Sequence, residues 1–104
     1  MDKQKLDEHM VLLAEIAISK IFEGRQKVAT ADVIAHCRES GLLRKEIREA
    51  RKRLGVQSRR DGRGTYWWYW SKEKDAADVN REKSRQLMEE IGNERKRDRE
   101  NPGG

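Results

Sequence analysis

The fold expected for this chain is decided by one stretch, RKEIREARKRLGVQSRRDGRGTYWWYW, which runs from Arg44 to Trp70. Its first half has apolar residues at helical spacing, and its second half has two strand-like runs around Asp-Gly-Arg-Gly. Between Arg44 and Arg63 there are nine Lys or Arg and three Asp or Glu, a local excess of six positive charges, whereas the whole chain carries +5. The positive charge is therefore concentrated on one predicted helix and one predicted hairpin tip.

The predicted helix from about Leu43 to Leu54 separates its apolar residues from its cations. One narrow apolar face is formed by Leu43, Ile47, Ala50 and Leu54. On a helical wheel the opposite side collects Arg44, Lys45, Arg48, Arg51 and Lys52. The acidic residues Glu46 and Glu49 fall on the remaining flank, so this pattern predicts a continuous basic stripe. A stripe of this kind is either a solvated helix face or a surface for an anionic partner.

The second half of the stretch predicts a β-hairpin. The predicted strands are Val56–Arg60 and Thr65–Trp70, with the turn signal Asp61-Gly-Arg-Gly between them. Three arginines surround the tip: Arg59, Arg60 and Arg63. Because side chains alternate along a strand, Trp68 and Trp70 are predicted to lie in the core and Trp67 on the outer face, together with Tyr69.

The residues before this stretch predict two helices and a minor strand. A helix from Lys5 to Glu23 is apolar around much of its circumference, so it is either central in the domain or buried against a second partner. A short extended link holds a minor strand near Val28. A second helix is expected from an N-cap at Thr30 to about Ser40, and Gly41 then allows a tight turn into the basic helix.

The chain becomes polar after residue 71, which is the expected boundary of a domain covering residues 5–71. Residues 72–104 are predicted to be a polar C-terminal helix and a disordered tail, with the helix from Asp75 to Ile91.

This order of elements resembles the winged helix-turn-helix domain, an α+β fold of three helices and a two- to three-stranded wing. The resemblance covers about Leu6 to Trp70, and residues 54–70 are similar to small winged helix modules of plasmid- and phage-type replication and mobile-element proteins. In that family the third helix enters the major groove of DNA and the wing contacts the backbone or the minor groove. The resemblance therefore implies contacts from the basic stripe and from the three wing arginines, with Arg63 entering the minor groove, and a phosphate contact at Thr30.

Other function classes find little support in the sequence. One cysteine, Cys37, excludes an internal disulfide, and the two histidines, His9 and His36, have no metal-ligand spacing. The longest apolar run, from Met10 to Ala14, is too short to span a bilayer. We expect a cytoplasmic protein that is not an enzyme and uses no cofactor, metal or small-molecule substrate.

The leading hypothesis is a sequence-specific double-stranded DNA-binding protein, either a small transcriptional regulator or a replication or recombination accessory factor. The broad apolar surface of the first helix suggests a homodimer through that helix and the C-terminal helix. The alternative is a protein-interaction module of phage or mobile-element origin that binds and modulates a nucleic-acid-handling machine, with Trp67, Tyr69 and the C-terminal tail as contacts. A third reading is a replication module taken from a larger helicase or primase.

Overall fold

The computed structural model describes residues 6–71 and 74–100, with side chains as far as residue 92. Within these ranges the chain is an α+β fold of four helices and a small three-stranded antiparallel sheet, compatible with a winged helix layout. The elements in chain order are α1 (Glu8–Ile21), β1 (Lys27–Ala29), α2 (Thr30–Glu39), α3 (Arg44–Leu54), β2 (Gln57–Arg60), β3 (Tyr66–Tyr69) and α4 (Ala76–Glu100). The minor strand near Val28 is thereby confirmed.

Helix α1 is the central element of the fold. It begins after Asp7, whose carboxylate accepts the His9 backbone N–H at 3.0 Å, whereas the predicted start at Lys5 lies outside the described residues. Val11 and Ile18 are fully buried, other apolar side chains such as Leu13 are partly buried against the same core, and α2, α3 and α4 all pack against the helix. The broad apolar surface of this helix is thus explained by packing within the chain.

The predicted N-cap at Thr30 is wrong. Ala29 occupies the cap position with extended backbone angles (φ −60°, ψ 133°), and Thr30 is the first helical residue of α2. The physical reason is that Ala29 is still paired with Trp67 in the sheet, so the backbone stays extended up to the start of the helix. The Thr30 hydroxyl is buried and has no hydrogen-bond partner among the described residues.

Helix α3 begins one residue later than predicted, and Leu43 is not part of its apolar face. Leu43 is the cap residue with an extended backbone (ψ 156°), and its side chain is 55% exposed, whereas the preceding Leu42 is buried. Glu46 is buried and its carboxylate accepts the Leu43 backbone N–H at 2.9 Å, which satisfies one unpaired donor at the helix start. Gly55 ends the helix in the left-handed conformation (φ 73°).

The sheet has the strand order β1-β3-β2, so the aromatic strand β3 lies in its centre. Paired residues in antiparallel strands share a face of the sheet. The inner face, which packs toward the helices, comprises Val28, Ser58, Arg60, Tyr66 and Trp68. The outer face comprises Lys27, Ala29, Gln57, Arg59, Trp67 and Tyr69.

The core placement of the tryptophans is confirmed for Trp68 and only partly for Trp70. Trp68 is buried, while Trp70 is half-buried and packs against Phe22 with ring centroids 5.4 Å apart. The Trp70 indole N–H donates to the Lys74 carbonyl at 2.7 Å, which joins the end of β3 to the approach to α4.

Helix α4 runs antiparallel to α1 and packs along it. Ala76 and Val79 are buried, and the Lys83 ammonium lies 2.8 Å from the buried Glu15 carboxylate. Asn80 donates from its amide nitrogen to the Ser19 hydroxyl at 3.1 Å and to the Ile16 carbonyl at 2.9 Å. The helical backbone continues through Glu100, so the part of the predicted disordered tail from residue 92 to residue 100 is helical instead, and residues 101–104 lie outside the described residues.

Candidate nucleic-acid interface

Three arginines of the basic stripe meet at one cleft between α2, α3 and the inner face of the sheet. Arg44, Arg48 and Arg51 are one helical turn apart, so they follow one side of α3. They line an open cleft of about 260 Å³ together with Ile34, Ile47 and Trp68. The cleft has an apolar floor and a rim of guanidinium groups, an arrangement suited to an anion with a flat or apolar part.

Arg51 is tied to the fold more closely than its two neighbours. Its guanidinium donates to the Val56 carbonyl at 3.0 Å, and its central carbon lies 5.8 Å from the centroid of the Trp68 ring. These contacts connect the last turn of α3 to the start of β2. Arg44 and Arg48 are exposed, so of the three they are the ones available to reach a ligand.

The two lysines of the predicted stripe do not join this cleft. Lys45 is exposed on α3. It directly follows Arg44 in the sequence, so it lies farther around the helix than the side that lines the cleft. Lys52 lines a different cleft of about 350 Å³, which lies between the end of α3 and α4 and also involves Trp70 and Lys83. The cations of the predicted stripe are therefore continuous along the helix, but they contribute to two separate clefts.

The sheet register divides the wing arginines between the two faces. Arg60 lies on the inner face opposite Tyr66, and its guanidinium carbon is 6.0 Å from the Tyr66 ring centroid. Arg59 lies on the outer face, where its guanidinium is 5.6 Å from the ring centroid of Tyr69. Adjacent strand residues point in opposite directions, so these two arginines cannot contact one flat ligand together.

The hairpin tip is organised by Asp61. One of its carboxylate oxygens accepts the backbone N–H groups of Arg63 at 2.8 Å and Thr65 at 2.9 Å, and the other accepts the Trp67 indole N–H at 2.9 Å. The hydrogen bond from Trp67, followed by those from the backbone, lowers the pKa of Asp61 below its usual value of 3.8. Arg63 is exposed at this ordered tip.

Gly64 completes the tip with a positive φ of 88°, a conformation that favours glycine. A side chain at this position would begin 3.2 Å from the Arg60 guanidinium, so the missing side chain also leaves room for Arg60. A side chain at position 64 would therefore require the Arg60 guanidinium to shift slightly.

The outer face carries two cation–aromatic pairs. The Lys27 ammonium is 4.8 Å from the Trp67 ring centroid, and Arg59 covers Tyr69 as described above. Gln57 joins this pair, because its side-chain oxygen accepts from the Arg59 guanidinium at 2.8 Å. The sequence singled out Trp67, Tyr69 and Arg59 but missed Lys27 and Gln57.

Other predicted site residues take no part in these surfaces. Thr30 begins α2, and the structure describes no hydrogen bond of its hydroxyl to a neighbour. Cys37 is fully buried, and this burial raises the pKa of its thiol from 9.0 to about 11, which makes it a poor nucleophile.

The part of the chain that the structure describes contains neither a metal-binding cluster nor a helix that could span a membrane. There, no three His, Cys, Asp or Glu side chains come together in a way that could hold a metal ion. In the same residues, no helix has the length and apolar character needed to cross a bilayer.

The chain matches no protein-family description, and comparisons with curated proteins and with solved structures found no similar protein.

Proposed function

We propose that this chain is a winged helix protein that binds double-stranded DNA in a sequence-specific manner, as a small transcriptional regulator or a replication or recombination accessory factor. In this proposal α3 enters the major groove and the hairpin of β2 and β3 contacts the backbone or the minor groove. The target site and the process regulated are left open.

One observation carries the proposal: α3 and the inner face of the hairpin present cations toward the same side. Arg44 and Arg48 are exposed at the rim of the cleft above Trp68, and Arg60 lies farther out on the same sheet face. A helix with a projecting basic hairpin beside it matches a duplex, whose phosphates flank the major groove on both sides.

The individual side chains then divide by chemistry. Arg48 is exposed in the middle of the helix face, and a guanidinium can form two hydrogen bonds to the major-groove edge of guanine. Arg51 already donates to Val56, so it suits a fixed phosphate contact better than base reading. Leu43 is an exposed apolar side chain at the helix start, where a thymine methyl group would be a fitting contact.

The first experiment measures the affinity for duplex DNA as a function of salt. Besides Arg48, which is assigned to a base, five cations are assigned to phosphates: Arg44, Lys45, Arg51, Arg60 and Arg63. Each neutralised phosphate contributes about −0.9 to the log–log slope, so we expect a slope of about −4.5. A salt-independent affinity would contradict the proposal, and a protein partner that survives nuclease and high salt would favour an interaction module instead.

The second experiment tests the groove assignment with Arg48→Ala. We expect the affinity for the preferred duplex to fall by a factor of about 10 to 100, with less discrimination at one base pair, because a bidentate base contact is lost. The matched control is Arg85→Ala, which removes the same charge from an exposed position on α4. Full specific affinity of Arg48→Ala would refute this role of Arg48. The preferred duplex is identified beforehand by selecting bound sequences from a random duplex library.

A further inference from the structure

The outer face of the sheet has a composition that the proposed duplex contact does not use. Its six strand residues include two cations, two aromatic residues and no Asp or Glu, and the one carboxylate at its edge, Asp61, accepts the Trp67 indole N–H. The register places Lys27, Arg59, Trp67 and Tyr69 together on the outer face, turned away from the side where Trp68 packs on the helices. A second surface, basic and aromatic, is thus presented opposite the first.

The spacing of the two outer aromatic residues decides which nucleic acid would fit. Trp67 and Tyr69 are two residues apart on one strand, so their Cα atoms are about 6.7 Å apart. Neighbouring bases in a B-form strand rise by about 3.4 Å. Two successive bases can therefore rest on the two rings only if the strand is extended and its bases are unstacked from each other, which a duplex does not permit.

The cations lie where the phosphates of such a strand would pass. Lys27 is 4.8 Å from the Trp67 ring centroid, and Arg59 is 5.6 Å from that of Tyr69. Each aromatic ring thus has a positive group over one of its faces, and the planar guanidinium of Arg59 is itself a surface on which a base can stack. Positive charge with aromatic rings fits a polyanion that carries flat rings, whereas an acidic peptide would satisfy only the charges.

A cleft next to Tyr69 adds groups that can read base edges. It has a volume of about 330 Å³, and its lining includes Gln26, Gln57, Arg59, Tyr69 and Trp70. Carboxamides both donate and accept hydrogen bonds, as the edges of nucleobases do. An aromatic ring beside a cleft with two carboxamides is suited to one unpaired base.

We propose that the outer face binds a single-stranded nucleic acid, with bases stacked on Trp67 and Tyr69 and phosphates neutralised by Lys27 and Arg59. This site lies on the opposite side of the hairpin from Arg48 and Arg60, so it does not depend on the proposed duplex contact. A protein that uses both faces would hold a duplex beside an unpaired strand.

The test measures binding of a fluorescent ten-residue oligothymidylate at moderate salt by anisotropy, with duplex binding measured in parallel. Tyr69→Leu removes the outer ring but retains apolar bulk, and we expect it to lower the oligothymidylate affinity about tenfold or more and to leave duplex affinity unchanged. Tyr66→Leu, the same substitution on the inner face of the same strand, is the matched control and should leave the oligothymidylate affinity unchanged. Arg48→Ala should lower duplex affinity alone, so either site can fail without the other.

A second measurement does not depend on the folding of variants. The unaltered protein is photocrosslinked to an oligonucleotide that contains 5-iododeoxyuridine, and the modified residue is identified by mass spectrometry. Crosslinks at Trp67 or Tyr69 support the proposal, and crosslinks confined to Tyr66 or α3 overturn it. The proposal is also overturned if Tyr69→Leu and Tyr66→Leu lower the oligothymidylate affinity equally. It is overturned as well if no oligonucleotide binds and an acidic protein partner binds in a way that requires Tyr69.

Discussion

The Asp61 carboxylate accepts hydrogen bonds from two backbone N–H groups and from the Trp67 indole at the tip of the hairpin. All three donors favour the charged carboxylate, which is why its pKa lies below 3.8. Because Trp67 is on the outer face and Arg63 is at the tip, one side chain connects both proposed contact surfaces. Asp61 was expected from the sequence only as a turn residue.

The pH dependence of hairpin stability follows from this pKa. A carboxyl group with a pKa lower in the folded than in the unfolded state contributes stability above its unfolded value near 3.8, and this contribution is lost as the pH falls through the folded value. We therefore expect Asp61→Asn to lower the melting temperature at pH 7, by an amount that decreases as the pH falls below 3.8 toward 2. The measurement is thermal unfolding, followed by tryptophan fluorescence, between pH 7 and pH 2.

The matched control is Asp32→Asn, an exposed position in the first turn of α2. It should show a smaller change at pH 7. The role of the Asp61 charge would be contradicted if the melting temperatures of Asp61→Asn and the unaltered protein differed by the same amount at pH 7 and at pH 2.

At the scale of the elements, the pairing of α1 with α4 is held by polar contacts as well as by apolar ones. Glu15 is buried in the middle of α1 and meets Lys83 at 2.8 Å, and Asn80 bonds to Ser19 one turn away. Farther along, His9 and Glu90 lie 3.5 Å apart. Such contacts set how far one helix is shifted along the other, since a shift of one turn would leave the Glu15 carboxylate buried without its partner.

Removal of one partner should therefore destabilise the fold. We expect Lys83→Met to lower the free energy of unfolding by about 2 kcal/mol, because the buried Glu15 carboxylate loses its charged donor. Replacing both residues, Glu15→Leu with Lys83→Met, should restore most of this loss, because no buried charge then remains. Unfolding in urea, followed by circular dichroism, measures both effects.

Arg81→Met provides the control for this prediction. Arg81 pairs with Asp78 at 3.4 Å, but both side chains are exposed, so its replacement should change stability by less than about 0.5 kcal/mol. If Lys83→Met and Arg81→Met lowered the free energy of unfolding by similar amounts, the buried Glu15–Lys83 pair would contribute no more to stability than an exposed pair.

At the scale of the whole molecule, the apolar surface of α1 is used within one chain. Helices α2, α3 and α4 cover much of α1, although Met10, Leu13 and Ile21 are only partly buried, and the predicted homodimer through α1 and the C-terminal helix stays a prediction. Among the residues whose side chains the structure describes, the large exposed apolar ones are Leu43, Tyr66 and Met88, and they belong to three different parts of the fold. Scattered positions of this kind do not form the continuous apolar area that a stable dimer buries.

We therefore expect the free protein to sediment as a monomer at micromolar concentration. Two copies would then be brought together by binding to adjacent half-sites on DNA. A palindromic sequence recovered in the library selection would indicate this paired binding. Analytical ultracentrifugation with and without the selected duplex checks this expectation. A dimer in the absence of DNA would show that a surface other than α1 associates.

Much of the element order was predictable because it depends on local pattern. The apolar spacing in α3, the turn signal at Asp61 and the alternation in β3 each involve residues within a few positions of one another. The exposed position of Leu43 was not predictable in this way, since it depends on the residue at which α3 begins. Thr30 was misassigned for a similar reason, because the pairing of Ala29 with Trp67 displaced the start of α2.

The sequence by itself determined the helices, the hairpin and the concentration of positive charge on them, since periodicity and charge are local properties of the chain. Only the tertiary structure decided that β1 pairs with β3, and this pairing brings Lys27 to Trp67. It also decided that Arg51 is tied to Val56 while Arg48 stays exposed. The physical reason is that these contacts join residues from different elements, whose proximity depends on how the hydrophobic core packs.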